Sequence, residues 1–483
     1  MNHRYLTLAF LACSFFASAQ VPTLLRDINA NGGANVSSIT CVDGLVYFRA
    51  NDDVHGNEVW VSDGTSEGTV LLKDINPGLN SSYPVSFLNW NDRVYFAADD
   101  GNGYALWSTD GTEVGTQFEL AVDNVQDLEF SSRFTVYNNM VIFNGRTEAL
   151  GAELWVSDGT VDGTQLVKDI YPGSIGSGPR EFTEYNGLLY FAATSPDLDE
   201  ELWVTDGTEA GTTLVMDIDE ASGSSAPRDL AVMNGLLYFK GDDGYAHGSE
   251  LWVTDGTADG TVMVLDIVPG GNESLPQDLV AFNNELWFSA YTGGTANLWH
   301  SDGTAEGTQM LALGSAEYSS PAYLCAQGDK LYFTAFIGGS DEQLWVSDGS
   351  TAGTTQIVYP GPQLNGALYP ADGITGCGDY IFFAASYDAA VGAEPYTLLS
   401  PVGIVEQALA DQDRIYPNPS TGRLFMADPP PNGMFQLYAS NGSLALESPV
   451  RKMDISVLPK GLYLARVTSA DGAVVHTQRV VKE

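Results

Sequence analysis

Glu153-Leu154-Trp155-Val156-Ser157-Asp158-Gly159-Thr160-Val161-Asp162-Gly163-Thr164 is the stretch that decides the fold, because the chain writes it again and again. Its tryptophan recurs as Trp60, Trp107, Trp155, Trp203, Trp252, Trp299 and Trp345, at spacings of 47, 48, 48, 49, 47 and 46 residues. An apolar triplet precedes each copy: Val46-Tyr47-Phe48, Val94-Tyr95-Phe96, Val141-Ile142-Phe143, Leu189-Tyr190-Phe191, Leu237-Tyr238-Phe239, Leu286-Trp287-Phe288 and Leu331-Tyr332-Phe333. An eighth triplet, Ile381-Phe382-Phe383, leads into Gly392-Ala393-Glu394-Pro395-Tyr396, which puts Tyr396 in the tryptophan slot. A fixed period of this length marks a repeat architecture.

Each unit holds four strand-like runs, A to D, bounded by Gly, Asp, Asn or Pro. In the first unit they are expected near Ser37–Val42, Leu45–Ala50, Glu58–Ser62 and Thr69–Ile75. B and C are apolar on both faces, as strands between neighbouring sheets must be. Four strands per unit of this length predict the blades of a β-propeller. A solenoid accepts the same period but needs capping units, and the ends of this repeat offer something else. The eighth unit stops near Leu398 with no D strand, while Leu24-Leu25-Arg26-Asp27-Ile28 is an isolated D strand near the start. An N-terminal strand that completes the last blade closes the ring and removes exposed sheet edges. Residues 22–400 then give 47.4 residues per blade for eight blades. The expected fold class is all-β: an eight-bladed β-propeller closed by the N-terminal strand, followed by a small immunoglobulin-like β-sandwich.

The repeat resembles the bacterial family named for its Glu-Leu-Trp-x-x-Asp-Gly-Thr motif, over about residues 22–400. Departures are Ala105, Asn297 and Gln343 for Glu, Val59 for Leu, and Ser350 for Thr. The resemblance implies architecture rather than activity.

In Asp-Gly-Thr-x-x-Gly-Thr, between C and D, Gly supplies a positive φ and Asp and Thr pin the turn through backbone hydrogen bonds. This structural-turn reading covers Asp63, Asp110, Asp158, Asp206, Asp255, Asp302 and Asp348, in preference to a ring of Ca²⁺ or glycan sites. The tryptophans are expected in the core between blades. The B–C loops vary more, and in a propeller they share a face with the D–A loops. Loops on a rigid scaffold are where binding usually sits. Oxygen-rich acidic pairs suit Ca²⁺, so Asp52/Asp53, Asp99/Asp100 and Asp242/Asp243 are the candidate metal residues, against the plainer reading of solvated turns. His55, His247 and His300 are the histidines of this region. No nucleophile elbow, His-rich metal motif or Gly-rich phosphate loop occurs, so no catalytic residue is assigned. Cys41, Cys325 and Cys377 fall in units one, seven and eight. A Cys41–Cys377 bridge would staple the closure. It requires Cα atoms within ~7 Å, a limit that adjacent inner strands can exceed, and three small buried thiols are the alternative.

The ends give an address. A short basic start at His3 and Arg4, the apolar run Leu6–Phe16 and the small residues Ala17-Ser18-Ala19 read as a secretory signal over residues 1–19. Cleavage after Ala19 would leave Gln20 first. The apolar run is shorter than the ~20 residues that span a bilayer, and no other stretch is long enough, so no transmembrane span is expected. Residues 401–413 read as a linker. Residues 414–483 carry Tyr416-Pro417-Asn418-Pro419-Ser420-Thr421-Gly422, Leu458-Pro459-Lys460-Gly461-Leu462-Tyr463 and a basic last strand. They resemble the type A C-terminal sorting domain of type IX secretion, which implies recognition by the outer-membrane translocon and a secreted or cell-surface protein. A plain binding sandwich is the alternative.

The chain has 483 residues and a formal net charge of −42. Residues 402–483 balance eight basic against eight acidic side chains, so residues 20–401 carry the excess, 11 Lys+Arg against 54 Asp+Glu. Such a surface repels phosphate backbones and excludes nucleic acid as a partner. The expected function is binding of an extracellular glycan or protein. The alternatives are a secreted polysaccharide-acting enzyme and a structural surface protein.

Overall fold

A computed structural model of the chain describes residues 21–120, 134–219, 223–244, 246–311, 318–337, 341–359, 368, 373–388, 390–400, 415–416, 423–426, 434–439, 444–448, 452–468 and 474–482. The expected signal segment, its Ala19 and Gln20, and the linker 401–413 lie outside the described residues. No helix occurs among the described residues, and none is long and apolar enough to cross a membrane. The chain divides into two compact units, Met1–Val402 and Gly403–Glu483.

The first unit is β-propeller-like. Among the described residues it holds eight four-stranded antiparallel sheets, seven of them in simple A-B-C-D sequence order. Sheet 1 runs Ser37–Val42, Leu45–Asn51, Asn57–Ser62 and Val70–Lys73, and the strands of sheets 2 to 7 follow in chain order within residues 85–120, 135–168, 180–216, 228–265, 277–310 and 318–356. Sheet 8 takes A, B and C from Thr375–Cys377, Tyr380–Ala385 and Glu394–Leu399, and its fourth strand is Thr23–Leu24. Thr23 pairs with Thr397 and Leu24 with Tyr396, antiparallel. The first strand of the unit thus completes its last sheet.

Alternation along the B strands explains why the sheets stack. Phe48 pairs with Trp60 across strands B and C, and both bury against Leu25, Ile28 and Phe382 of sheet 8. Tyr47, the next residue along, points the other way and packs with Phe87 and Phe96 of sheet 2. The same division recurs at every junction, giving eight apolar clusters, each shared by two sheets neighbouring in the order 8-1-2-3-4-5-6-7-8. Each motif tryptophan fills the cluster on the side of the preceding sheet, as expected of core residues. Removing one such ring costs about 3–5 kcal/mol.

One expected boundary is corrected. The D strand of sheet 1 ends at Lys73 instead of Ile75. Beyond Lys73 the backbone turns away from strand C, and the Ile75 N–H goes to the Glu58 carboxylate at 2.9 Å. Of the two readings of the cysteines, the bridge at the closure, between the inner strands of sheets 1 and 8, is the one found. Cys41 and Cys377 form a disulfide with Cα atoms 5.4 Å apart, and Cys325 is a free thiol. The two strands meet because they belong to consecutive sheets around the closure and pack directly on each other.

Among the described residues, six of the A strands carry a bulge near their start. In sheets 4, 5 and 6 the bulge residues Glu181, Asp229 and Asp278 have φ of 64°, 57° and 55°. Each hands its carboxylate to the next sheet: Glu181 accepts the Asp229 N–H, Asp229 that of Asp278, and Asp278 that of Tyr323. Hydrogen bonds between neighbouring sheets offset the strain of these positive φ angles.

In the second unit, Ile415–Tyr416, Arg423–Met426 and Lys452–Asp454 form a three-stranded sheet. Leu444–Ser448, Met434–Ala439, Gly461–Thr468 and Val474–Lys482 form a four-stranded one. Leu424 and Met453 from the first sheet join Phe435, Leu437, Tyr463, Ala465, Val467 and Val480 from the second in one core.

Candidate functional site

Antiparallel A-B-C-D order places the A–B and C–D turns at one end of every sheet and the B–C and D–A loops at the other. The two ends are built differently.

At the first end sit the Asp-Gly-Thr hairpins. The Asp63 carboxylate accepts from the Thr65 N–H at 2.9 Å and the Thr65 hydroxyl at 2.7 Å, and the Ser62 and Thr69 hydroxyls are 2.8 Å apart. A β-carbon at Gly68 would lie 2.0 Å from that carboxylate, so the second glycine of the motif is required by contact. Asp110, Asp158, Asp206, Asp255, Asp302 and Asp348 sit in the same arrangement. The Thr or Ser hydroxyl bonded to each of these six holds its carboxyl below the ordinary range. Cations on or just after the preceding D strand latch onto some hairpins. Lys73 donates to the Thr116 carbonyl at 2.8 Å, Lys168 to that of Thr212 at 2.7 Å, and Arg26 to that of Thr69. These contacts make this end a rigid structural rim.

The second end is anchored by glutamates buried at the start of strand C. Glu58 accepts from the Ile75, Asn76 and Ser82 N–H groups and from the Ser82 hydroxyl, at 2.9, 3.3, 2.9 and 2.6 Å. Glu153 holds Ile170, Tyr171 and Ser177 in the same way. Glu201 holds Ile218 and Ser225, and Glu250 holds Ile267 and Ser274. Glu394 holds Ile28 and Asn29 of the opposite terminus. Each D–A loop of these sheets is thereby folded around one carboxylate. Burial pushes Glu58, Glu201 and Glu394 up to about 7 against the pull of these hydrogen bonds, and pushes Glu153 and Glu250 up as well.

The role of these glutamates was missed in the sequence, where the motif Glu was only counted. A signal was there. Ser82, Ser177, Ser225 and Ser274 each follow their glutamate by 24 residues. Where Glu is replaced, by Ala105, Asn297 or Gln343, the residue 24 further on is Glu129, Pro321 or Ala367.

The candidate metal pairs all lie on this loop end, but in sheets 1, 2 and 5. Asp52 accepts from the Val54 and His55 N–H groups and bonds the His55 imidazole at 2.8 Å. Burial works to raise the Asp52 carboxyl, yet the bonds from His55 and Val54 outweigh it and hold it low. Asp53 occupies a positive φ of 64°. Asp99 accepts from the Gly101 and Gly103 N–H groups, and Asp100 from that of Asn102. Asp242 accepts from the Gly244 N–H and the Ser249 hydroxyl, and Asp243 bonds the His247 imidazole. The bonds to Asp52 and Asp243 raise His55 and His247 above the ordinary histidine range. His300 instead stacks on Trp287 and lies 3.3 Å from Glu285. Among the described residues no group of three or more His, Cys, Asp or Glu side chains is placed to share an ion.

In the second unit, the strands Ile415–Tyr416 to Val474–Lys482 fall within a segment, residues 414–483, that matches the family model described as the secretion system C-terminal sorting domain. This segment is a type IX sorting domain. The sorting domain indicates export through the type IX system to the cell surface or beyond. No curated protein matches the chain. Among solved structures, a prolyl endopeptidase is 10% identical at a TM-score of 0.48, over 92% of this chain and 56% of that one. The chain therefore spans little more than half that enzyme's length. A puromycin hydrolase is 13% identical at a TM-score of 0.42, over 75% of this chain and 60% of that one. PorZ, a surface component of the type IX secretion system of Porphyromonas gingivalis, is 11% identical at a TM-score of 0.32, over 92% and 75%.

Proposed function

We propose that residues 22–400 are an eight-bladed β-propeller, closed by its N-terminal strand, that binds an extracellular glycan or protein on its B–C and D–A loop face. Residues 414–483, as a small immunoglobulin-like sandwich, are read by the type IX outer-membrane translocon, and residues 401–413 link the two. Residues 1–19 are the export signal, cut between Ala19 and Gln20. The observation that carries the reading is the contrast between the two ends of the sheets. The hairpin end repeats one turn seven times, whereas the loop end varies in length and chemistry on anchors that hold it rigid. Variable loops on a fixed frame are how scaffolds carry binding.

Two experiments test it. Deletion of residues 414–483 should leave the protein on the inner side of the outer membrane, and full export of the truncated chain contradicts the sorting role. Cross-linking of the exported full chain to envelope material, followed by peptide mapping, should place the links on the B–C and D–A loops. Links confined to the C–D hairpins contradict the binding face. Thermal melts in Ca²⁺ and in chelator test the calcium expectation at Asp52/Asp53, Asp99/Asp100 and Asp242/Asp243. A higher Tm with the ion supports it, and coincident curves end it.

A further inference from the structure

The loop face is not uniform. In sheet 2 the B–C loop reaches the preceding D–A loop, since a β-carbon at Gly101 would lie 3.4 Å from Asn76. In sheet 5 the contact is closer, with a β-carbon at Gly244 only 2.8 Å from Asp219. Sheet 6 differs. Its strands B and C, Glu285–Thr292 and Thr295–Ser301, are joined by Gly293 and Gly294 alone. Nothing lies within 4 Å of a β-carbon at either glycine. The short turn leaves open the gap that a B–C loop fills elsewhere, and a groove of about 610 Å³ remains between it and the D–A loop before it.

The walls of the groove carry a particular chemistry. Tyr291 stands at the slot held by Asn51, Asp99, Thr194 and Asp242 in other sheets. In all five the backbone N–H donates to the carbonyl of the residue at the loop's anchor. Among these five the slot is aromatic only here, Phe336 holding it in sheet 7, and the Tyr291 ring is 37% exposed on the groove. Leu275 faces it from a positive φ of 47°, and Asn272 and Glu273 add one amide and one carboxylate. Ser274, between Glu273 and Leu275, is bonded by N–H and hydroxyl to the buried Glu250, so the wall is held before any ligand arrives. No Lys or Arg lines the groove.

We infer that this groove binds an uncharged oligosaccharide, with a sugar ring stacked on Tyr291 and its hydroxyls bonded to Asn272 and Glu273. An amphipathic aromatic face beside a few fixed polar groups is what a pyranose offers its own C–H face and hydroxyls to. The lack of a cation in the walls, on a chain of net charge −42, excludes an anionic polymer. The inference rests on the loop face being the binding face.

The test is calorimetric titration of the full exported chain with cellohexaose, xylohexaose and mannohexaose, with a hyaluronan hexasaccharide as the anionic probe. At least one neutral hexasaccharide should bind and hyaluronan should not. Tyr291→Ala and Glu273→Gln should each weaken that binding tenfold or more, while Tyr291→Phe retains it. Binding of none of the three neutral probes, or of hyaluronan in preference to them, overturns the inference. So does binding that Tyr291→Ala leaves unchanged. In each case cross-links mapped to the loop face would leave the broader reading standing.

Discussion

The Glu394 carboxylate accepts a hydrogen bond from the Ile28 N–H at 2.9 Å, joining residues 366 positions apart. In sheet 1 the same bond runs from Ile75 to Glu58, 17 positions away in the same repeat. The bond is the standard anchor of a D–A loop, made here between the two ends of the first unit. Around it the Leu25 N–H donates to Pro395, the Ala34 N–H to Ala393, and the Thr375 hydroxyl to the Ile39 carbonyl. Closure therefore reuses the joint that Glu58, Glu153, Glu201 and Glu250 make between other neighbouring sheets.

Glu394→Ala should weaken the first unit by about 3 kcal/mol, because it strands buried N–H groups that have no other acceptor. Arg26→Met should cost less, about 1–2 kcal/mol, since it removes one charge-assisted bond to Thr69. Met216 and Leu265 already stand at the equivalent place in sheets 4 and 5, so an apolar side chain fits there. Urea midpoints of the two variants against the parent check the order.

Stability should fall as pH rises. Glu58, Glu201 and Glu394 are pushed to about 7 from an ordinary value of 4.5, so the folded chain holds protons that the unfolded chain has lost. Their contribution is complete below 4.5 and is lost as pH rises through about 7. Relief of repulsion on an acidic surface acts in the same direction. Tm should be higher at pH 5 than at pH 8, and replacing the three glutamates by Gln, the residue found at 343, should flatten the difference. A Tm that rises between pH 5 and 8 contradicts the assignment.

Core and turn should separate by magnitude. Trp203→Ala opens the junction of sheets 3 and 4 and should cost about 3–5 kcal/mol. Gly163→Ala forces a β-carbon to within 1.9 Å of the Asp158 carboxylate and should cost about 1–3 kcal/mol as the hairpin shifts. Denaturant unfolding of both variants gives the comparison.

Much of this was legible in the sequence because it was periodic. The Trp spacing gave the units, and the missing D strand after Leu398, set against the spare one at Leu24, gave the closure that Thr23 and Leu24 make. The turn aspartates were readable because Asp63 bonds Thr65, two residues on. What was not read depends on distance in the chain or on chance occupancy. Glu58 finds Ser82 only after the backbone has crossed to the next sheet. The Cys41–Cys377 bridge depends on a spacing of inner strands that no residue pattern encodes. Tyr291 stands at a slot whose residue changes from sheet to sheet, so the period does not single it out. The acidic B–C pairs looked alike in sequence, yet two of them turn out to bond histidines, His55 and His247, and the third only its own loop.

Peptide mapping of the non-reduced full chain tests the closed ring most directly. Residues Cys41 and Cys377 are 336 positions apart and meet only if the first and last sheets are neighbours. The expected result is one linked peptide pair containing Cys41 and Cys377, with Cys325 alkylated as a free thiol only after unfolding. Ready alkylation of Cys41 in the native, unreduced protein, or its linkage to Cys325, would contradict the closure described.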